Sequence, residues 1–162
     1  YACVTQHVEQ GNGNNIAMVI EDDSKGSSEL SYQKLDQLSG RLVSIFNDLG
    51  LQGGDRVLIR LPNATEYPVS FFGCLKQGAI AVPTSTLLSA PEVAYLAKDS
   101  GAKILITAKS MWSELSNIIE QDTQLTTILL AGSEPMPENL PSGNIKVLDL
   151  QQLLDNASEI LL

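Results

Sequence analysis

The chain has few of the residues that mark several protein classes. Its two cysteines, Cys3 and Cys74, are too few for a disulfide framework and show no metal-ligand spacing. The single histidine, His7, lies among polar residues and has no partner visible in the sequence, so a catalytic triad has no credible base. No segment approaches the roughly 20 apolar residues that a membrane-spanning helix needs. We therefore predict no membrane span, a buried apolar role for Cys74 and a reducing, cytoplasmic location.

Basic residues are also scarce. Ten lysines and arginines stand against nineteen acidic residues, which gives a net charge of -9. Since neutralisation of phosphates supplies most of the affinity for nucleic acids, this balance argues against a nucleic-acid partner. The acidic cluster Glu21, Asp22 and Asp23 is typical of a solvated turn.

The motifs that grip phosphates or activate nucleophiles are missing as well. Gly11 and Gly13 precede the first predicted strand instead of following it, and residues 53–56 lie at the amino end of a strand, where a turn is expected. No nucleophile elbow of the Gly-x-Ser-x-Gly type occurs. We therefore assign no catalytic, cofactor-binding or metal-binding residue to this chain.

What the chain does have is an alternation of short apolar runs with amphipathic stretches. With 162 residues, 43% hydrophobic and 18% charged, it has the length and balance of one domain covering residues 1–162. Strands are predicted at residues 16–20, 29–31, 56–61, 79–82, 103–107, 126–130 and 145–148. The second strand is expected to return beside the first as a hairpin. The run at 103–107 is the clearest core strand, and 79–82 also has the pattern of a buried strand.

Helix signals lie between these strands. Ser31 is expected to cap a helix that ends at Gly50, and Ser89 with Glu92 forms a capping box for a helix that ends at Gly101. A further helix is predicted from Asn63 or Thr65 as cap to Gly78; it is apolar around most of its circumference, so we expect it to be buried between layers. Another is predicted from Ser110 as cap to Gln121, with these side chains facing inward: Trp112, Leu115, Ile118 and Ile119. The last is a short helix that contains Leu150, Leu153 and Leu154. The alternation predicts an α/β fold, a three-layer αβα Rossmann-like unit with a mostly parallel sheet.

In such a sheet, ligands bind at the carboxyl ends of strands. These ends follow Leu61, Val82, Thr107, Leu130 and Leu148. Residues 62–65 and 107–110 are the two candidate segments, each of which has a plain alternative as a helix start.

Several phrases, in order, resemble one known family. They are Leu30, Ser31, Tyr32 and Leu35; Gly54, Asp55, Arg56 and Val57; Leu61, Pro62, Asn63, Glu66 and Tyr67; residues 73–79 followed by Val82 and Pro83; and residues 99–103. Together they resemble the N-terminal region of the adenylate-forming (AMP-binding) acyl- and aryl-CoA ligase superfamily. The resemblance covers residues 30–107, and residues 83–88 are more similar to aryl and medium-chain CoA ligases than to peptide-synthetase domains.

The resemblance implies a two-step reaction in the parent protein. A carboxylate attacks the α-phosphate of ATP, with magnesium, and a thiol such as coenzyme A captures the acyl-adenylate. It also implies a small carboxylic acid substrate, a place in fatty-acid or aromatic-acid metabolism and, as partner, the remainder of the ligase chain. The matched residues have structural roles: Ser31 as cap, Asp55 in a turn, Pro62 and Pro83 as strand ends, Gly78 and Gly101 as helix ends.

The family's phosphate-binding loop would follow the last strand, and it is missing. We therefore expect an N-terminal subdomain that is truncated before that loop, inactive alone and able to self-associate through surfaces the rest of the ligase would cover. Two alternatives stay open: a stand-alone binding or interaction domain derived from the ligase fold, and an unrelated flavodoxin-like nucleotide binder.

Overall fold

The computed structural model describes residues 1–22, 26–116, 123–138, 140 and 143–159. Strands and helices alternate along most of these residues, as the sequence pattern predicts. The strands are β1 (Ile16–Asp22), β2 (Gly26–Ser31), β3 (Arg56–Arg60), β4 (Ile80–Pro83), β5 (Ile104–Ala108), β6 (Thr127–Ala131) and β7 (Lys146–Asp149). The helices are α1 (Thr5–His7), α2 (Tyr32–Asp48), α3 (Glu66–Gln77), α4 (Ala90–Ser100), α5 (Trp112–Leu115) and α6 (Leu150–Asn156). A π-helical turn, Val8–Asn12, continues α1.

The strands form two sheets. β1 and β2 pair as an antiparallel hairpin, so the predicted return of the chain beside the first strand is confirmed. The other five strands form a parallel sheet in the order β4-β3-β5-β6-β7. Numbered from its own first strand, this order is 2-1-3-4-5, one of the two common orders of doubly wound α/β folds.

Helices cover both faces of the parallel sheet. On one face, α2, α3 and α6 bury Leu42, Phe46 and Leu154 against β3, β5 and β6. On the other face, α4 and α5 bury Val93 and Trp112 against the opposite sides of the same strands. β5 lies at the centre and every one of its residues is buried, which confirms the predicted core strand. The three-layer α/β prediction is therefore confirmed.

Local signals in the sequence explain where several helices begin and end. The Ser31 hydroxyl accepts a hydrogen bond from the Lys34 amide at 3.2 Å, as expected of an N-cap. At the start of α4, the Ser89 amide and hydroxyl donate to the Glu92 carboxylate at 2.8 and 2.7 Å, which completes the predicted capping box. Gly78, at the end of α3, has the left-handed conformation with φ 71°, which favours glycine.

Two burial predictions were wrong. β4 is an edge strand, and Ile80 is 51% exposed, because the chain returns to the far side of β3 after α3. An apolar run of this length fits an edge as well as a centre. α3 is not enclosed either: Leu75 is 52% exposed, because the helix covers the sheet with one side and contacts α2 with another.

Three smaller predictions need correction or lie outside the described residues. β1 extends through Asp22, beyond the predicted end of the strand, and the turn residues 23–25 lie outside the described part. Ser110 is not a helix cap, since it lies in a 3₁₀ turn, Lys109–Met111, and α5 begins at Trp112. Trp112 and Leu115 are buried as predicted, whereas Ile118, Ile119 and Gln121 lie outside the described residues. Among the helices that the structure describes, none combines the length and the apolar composition of a membrane span.

Candidate functional site

A cleft lies at the point where the strand order of the parallel sheet reverses, between β3 and β5. β3 and β5 are neighbours, and the connections that leave them run to opposite sides, so their carboxyl ends diverge and leave a crevice. The cleft has a volume of about 350 Å³. It is lined by the ends of three strands and the segments that follow them: Leu61, Pro62, Ala64, Glu66, Ala108, Ser110, Ala131, Gly132, Ser133 and Glu134.

The structure brings together parts of both segments that the sequence singles out. Pro62 and Ala64 from the first segment face Ala108 and Ser110 from the second across the cleft. Two other polar residues of these segments lie outside the cleft. Asn63 lines a different cavity, and Lys109 is buried. Thr65 occupies the N-cap position of α3, one of the two predicted, but its side chain makes no capping hydrogen bond.

The third wall of the cleft comes from the segment after β6. Gly132, Ser133 and Glu134 follow the strand directly, and the sequence indicated only that a strand ends there. Gly132 has φ 111°, and a Cβ atom at this position would meet the Glu134 carboxylate. Glycine is therefore needed for the chain to turn here. A glycine directly after an apolar strand was the available signal.

Lys109 links the segment after β6 to the start of α6. Its ammonium group donates to the Gly132 carbonyl at 3.0 Å and to the Asp149 carboxylate at 2.8 Å. Asp149 in turn accepts from the amides of Gln151 and Gln152 and so caps α6. Partial burial by itself raises the pKa of Asp149, but the hydrogen bonds from Lys109 and the two amides together hold that pKa below its usual range. Lys109 therefore has a structural partner and does not point into the cleft.

The charge of the cleft limits what it can bind. Its described lining includes two carboxylates, Glu66 and Glu134, and no lysine or arginine. Within the described residues, no three histidine, cysteine or acidic side chains come together as a metal site would require. A triphosphate needs cationic or amide-rich partners, and Mg²⁺ bound to it needs oxygen ligands in octahedral geometry. The described residues fit neither group, so we derive no chemical step from them.

A larger cavity of about 520 Å³ lies between the hairpin and the start of α3. Its lining comprises Met18, Val19, Ile20, Glu21, Asn63, Ala64, Tyr67 and Pro68. Met18 to Glu21 are consecutive residues of β1, so the strand presents both of its faces, and hence an edge, to the cavity. Glu21 is exposed, as predicted for the acidic cluster.

The amino end of the sheet has the structural role that the sequence predicts. Asp55 accepts hydrogen bonds from the Lys103 ammonium at 2.8 Å and from the Gln52 amide at 2.9 Å, which closes the turn before β3. These two bonds, the one from Lys103 first, lower the pKa of Asp55. The predicted turn is therefore present at residues 52–55, and Arg56 begins β3.

The two candidate reactive side chains outside the cleft also have structural explanations. Cys74 is fully buried, and this desolvation raises the pKa of its thiol to about 12, so it is a small apolar core residue as predicted. His7 has an aromatic neighbour that the sequence did not reveal. Its ring lies against that of Tyr32, with the centroids 4.4 Å apart and the planes at 30°. Tyr32 follows the predicted cap Ser31, and the fold brings the two rings together.

A family model and several known ligases match this chain in sequence. A family model described as AMP-binding enzyme matches residues 5–157. The long-chain-fatty-acid–CoA ligase FadD13 of Mycobacterium tuberculosis is 40% identical over 77 residues, which are 48% of this chain and 15% of that ligase. The crotonobetaine/carnitine–CoA ligase of Citrobacter koseri is 32% identical over 130 residues, which are 79% of this chain and 25% of that ligase. The chain thus spans a quarter or less of the length of these relatives.

Solved structures agree on the fold. An acyl-CoA synthetase of Brucella canis superimposes with a TM-score of 0.79 at 23% identity, over 96% of this chain and 27% of that one. The anthranilate CoA ligase AuaEII, solved in complex with anthranoyl-AMP, has a TM-score of 0.72 at 25% identity, over 83% of this chain and 24% of that one. Both structures contain the alternation described above as one part of a longer chain.

Proposed function

Because this chain belongs to the AMP-binding enzyme family, we propose that it is the N-terminal part of an ATP-dependent acyl- or aryl-CoA ligase. In this proposal, residues 1–162 form one subdomain, cut before the family's phosphate-binding loop. The family match over residues 5–157 carries the proposal. The small share of each relative's length that the chain covers supports it.

The cleft at the sheet's carboxyl edge is consistent with this assignment. It lies where doubly wound sheets bind ligands, yet its described lining is acidic and offers no cation for a phosphate. The proposed subdomain therefore supplies a wall and a scaffold. The groups that bind ATP, magnesium and coenzyme A belong, in this proposal, to the rest of the ligase.

The proposed reaction has two steps. A carboxylate oxygen of a small carboxylic acid bonds to the α-phosphorus of ATP as pyrophosphate leaves. The sulfur of coenzyme A then bonds to the acyl carbon as AMP leaves. Such chemistry depends on positioning and on neutralising the charge that develops on the phosphates. We include in this proposal a role in fatty-acid or aromatic-acid metabolism and a location in the cytoplasm.

The test is thioester formation by the whole polypeptide that the gene encodes. The purified protein is incubated with ATP, magnesium, coenzyme A and a panel of aliphatic and aromatic acids, and the acyl-CoA product is measured by mass spectrometry. We expect product with at least one acid and none when ATP is omitted. A reading frame that stops at Leu162, or a longer polypeptide without thioester formation, would contradict the proposal. The first result would favour the stand-alone binding domain.

A further inference from the structure

Arg60, the last residue of β3, is a charged side chain inside the core. It is 1% exposed and is among the largest fully buried side chains of the described residues. Strand alternation places it on the same side as Leu58, facing α4 and α5. Its Nη2 atom donates to the carbonyls of Thr86 at 2.8 Å and Leu88 at 3.0 Å. We call residues 84–88, which follow β4, the strap.

The polar atoms around Arg60 are incompletely paired. Its Nε and Nη1 atoms are buried without a hydrogen-bond partner, and so is the hydroxyl of Thr107. Thr107 is the residue opposite Arg60 in the register of β3 and β5, and it is also fully buried. The described ion-pair partner of Arg60 is Glu114, at 3.4 Å, whose side chain is 67% exposed. The guanidinium charge is thus balanced only by a largely solvated carboxylate.

The burial of Arg60 is costly if its only role is to hold the strap. A buried charge without a close counter-charge is destabilising, and each unpaired buried donor adds to that cost. A guanidinium presents several N–H groups in a planar fork that matches the oxygens of a carboxylate or a phosphate. An ionised oxygen is also a stronger acceptor than the two neutral carbonyls that Arg60 now contacts.

We infer that Arg60 and Thr107 form a latent binding site for a small oxyanion, which the strap covers. An entering oxyanion takes hydrogen bonds from the guanidinium and from the Thr107 hydroxyl. To meet the anion, the guanidinium turns its Nη2 atom away from the carbonyls of Thr86 and Leu88, so binding releases the middle of the strap.

The middle of the strap has few contacts besides those with Arg60. The strap is fixed at its two ends, because the Thr84 amide donates to the Ile59 carbonyl at 2.9 Å and Leu88 packs against the core. Its other described hydrogen bonds are local: the Leu87 amide donates to the Ser85 hydroxyl at 3.1 Å and the Leu88 amide to the Ser85 carbonyl at 3.4 Å. Leu87, between the two clamped carbonyls, is 92% exposed. Arg60 and Thr107 each directly precede a residue of the cleft lining, Leu61 and Ala108. Release of the strap therefore occurs beside the cleft at the carboxyl edge of the sheet.

The first test is anion-dependent thermal unfolding of residues 1–162 at constant ionic strength. Phosphate and acetate are the oxyanion probes, and chloride is the control anion. We expect phosphate, acetate or both to raise the unfolding midpoint in a saturable manner, because a ligand that binds the native state stabilises it. Arg60→Met should abolish this dependence and still fold, since an apolar side chain of similar volume can replace a buried charge.

Matched variants separate the site from a general salt effect. Arg56→Met changes the other end of the same strand, where Arg56 donates to the carbonyls of Ser100 and Gly101, and should keep the anion dependence. Thr107→Val removes the hydroxyl at constant shape and should raise the half-saturating concentration by about three- to tenfold. Equal responses of the unaltered protein and Arg60→Met, or equal effects of chloride and the oxyanions, would overturn the inference.

The second test is hydrogen exchange of the strap, read by mass spectrometry on a peptide that covers residues 84–88. Saturating oxyanion should speed exchange of the strap amides in the unaltered protein, while Arg60→Met should exchange quickly with or without it. Slower exchange on anion addition would mean that the strap does not open, and would also overturn the inference.

Discussion

At the scale of single residues, Lys109 and Asp149 join the segments that follow β5, β6 and β7 at the carboxyl edge of the sheet. The lysine is buried, contacts the carbonyl that follows β6, and pairs with the carboxylate that caps α6. Removing one partner leaves the other without its main interaction, which is costlier than the interaction itself is favourable.

Asp149→Asn should therefore lower the free energy of unfolding at pH 7 by about 1–3 kcal/mol. Because the folded pKa of Asp149 is lowered, its contribution is fully present above the ordinary pKa of a carboxyl, near ~4. That contribution falls as the pH drops through this value and is lost once the pH is below the folded pKa. Urea unfolding at several pH values measures it, and the variant should lose less stability than the unaltered protein on acidification.

Asp155→Asn is the matched control for that substitution. Asp155 lies on the same helix, is exposed, and accepts a hydrogen bond from the Gln151 side chain. Its replacement should change stability by less than about 0.5 kcal/mol. Equal effects of the two substitutions would mean that the Lys109 ion pair contributes nothing specific.

The two thiols should differ sharply in reactivity. The pKa of Cys74 is raised to about 12 by burial, and Cys3 is exposed. Because the thiolate is the reactive form, brief iodoacetamide treatment at pH 8 should modify Cys3 alone. Mass spectrometry should find one adduct on the native chain and two after denaturation in guanidinium. Rapid labelling of Cys74 under native conditions would contradict its place in the core.

At the scale of elements, α2 and α3 meet closely at Gly73. A Cβ atom on Gly73 would lie 2.6 Å from Cδ2 and 3.1 Å from Cβ of Leu42, which is fully buried. Gly73→Ala should lower the free energy of unfolding by about 1–3 kcal/mol through overpacking, although alanine favours helix. In a Leu42→Ala background the same change should cost much less, because the 2.6 Å contact with Cδ2 is gone and only the 3.1 Å contact with the Cβ atom of residue 42 remains. Denaturant unfolding of the four variants measures this coupling, and simple additivity would refute it.

The edge strand β4 is the element we expect to drive self-association. It has no charged residue in Ile80–Pro83, and both Ile80 and the neighbouring Leu75 of α3 are about half exposed. Unprotected edges invite pairing with other chains. Light scattering over a concentration series should show association of the unaltered chain, and Ile80→Lys should reduce it. Leu87→Lys, an equally apolar and more exposed position on the strap, is the control that should leave it unchanged.

The elements differ in how well the sequence predicts them. The position of β5 could be predicted because a continuous apolar run is typical of a strand buried on both faces. The start of α4 could be predicted because Ser89 and Glu92 have the spacing of a capping box. The position of β4 could not be predicted, since an apolar run does not say which strand will lie at an edge. The burial of Arg60 could not be predicted either, because a charge at the end of a strand is usually solvated. The contacts with the strap's carbonyls and with Glu114 arise only in the folded chain. The cleft followed from the rule about strand ends, but its acidic third wall did not.

At the scale of the whole molecule, the described chain has the architecture of a ligand-binding α/β sheet without the groups that grip a nucleotide. The family match and the partial coverage of each relative support a fragment of the ligase family, and in the proposed function this fragment acts as a scaffold. In this proposal the net charge of -9 belongs to the N-terminal subdomain and says nothing about the charge of the ligase's active site.

The most direct measurement is ATP–pyrophosphate exchange by residues 1–162 with a panel of carboxylic acids and magnesium. Exchange reports the first, adenylate-forming step without needing the thiol acceptor. The account predicts no exchange above the acid-free background for the fragment, and clear exchange for the whole ligase polypeptide assayed in parallel. Robust acid-dependent exchange by residues 1–162 alone would contradict the central claim that this chain provides the scaffold and the rest of the ligase the chemistry.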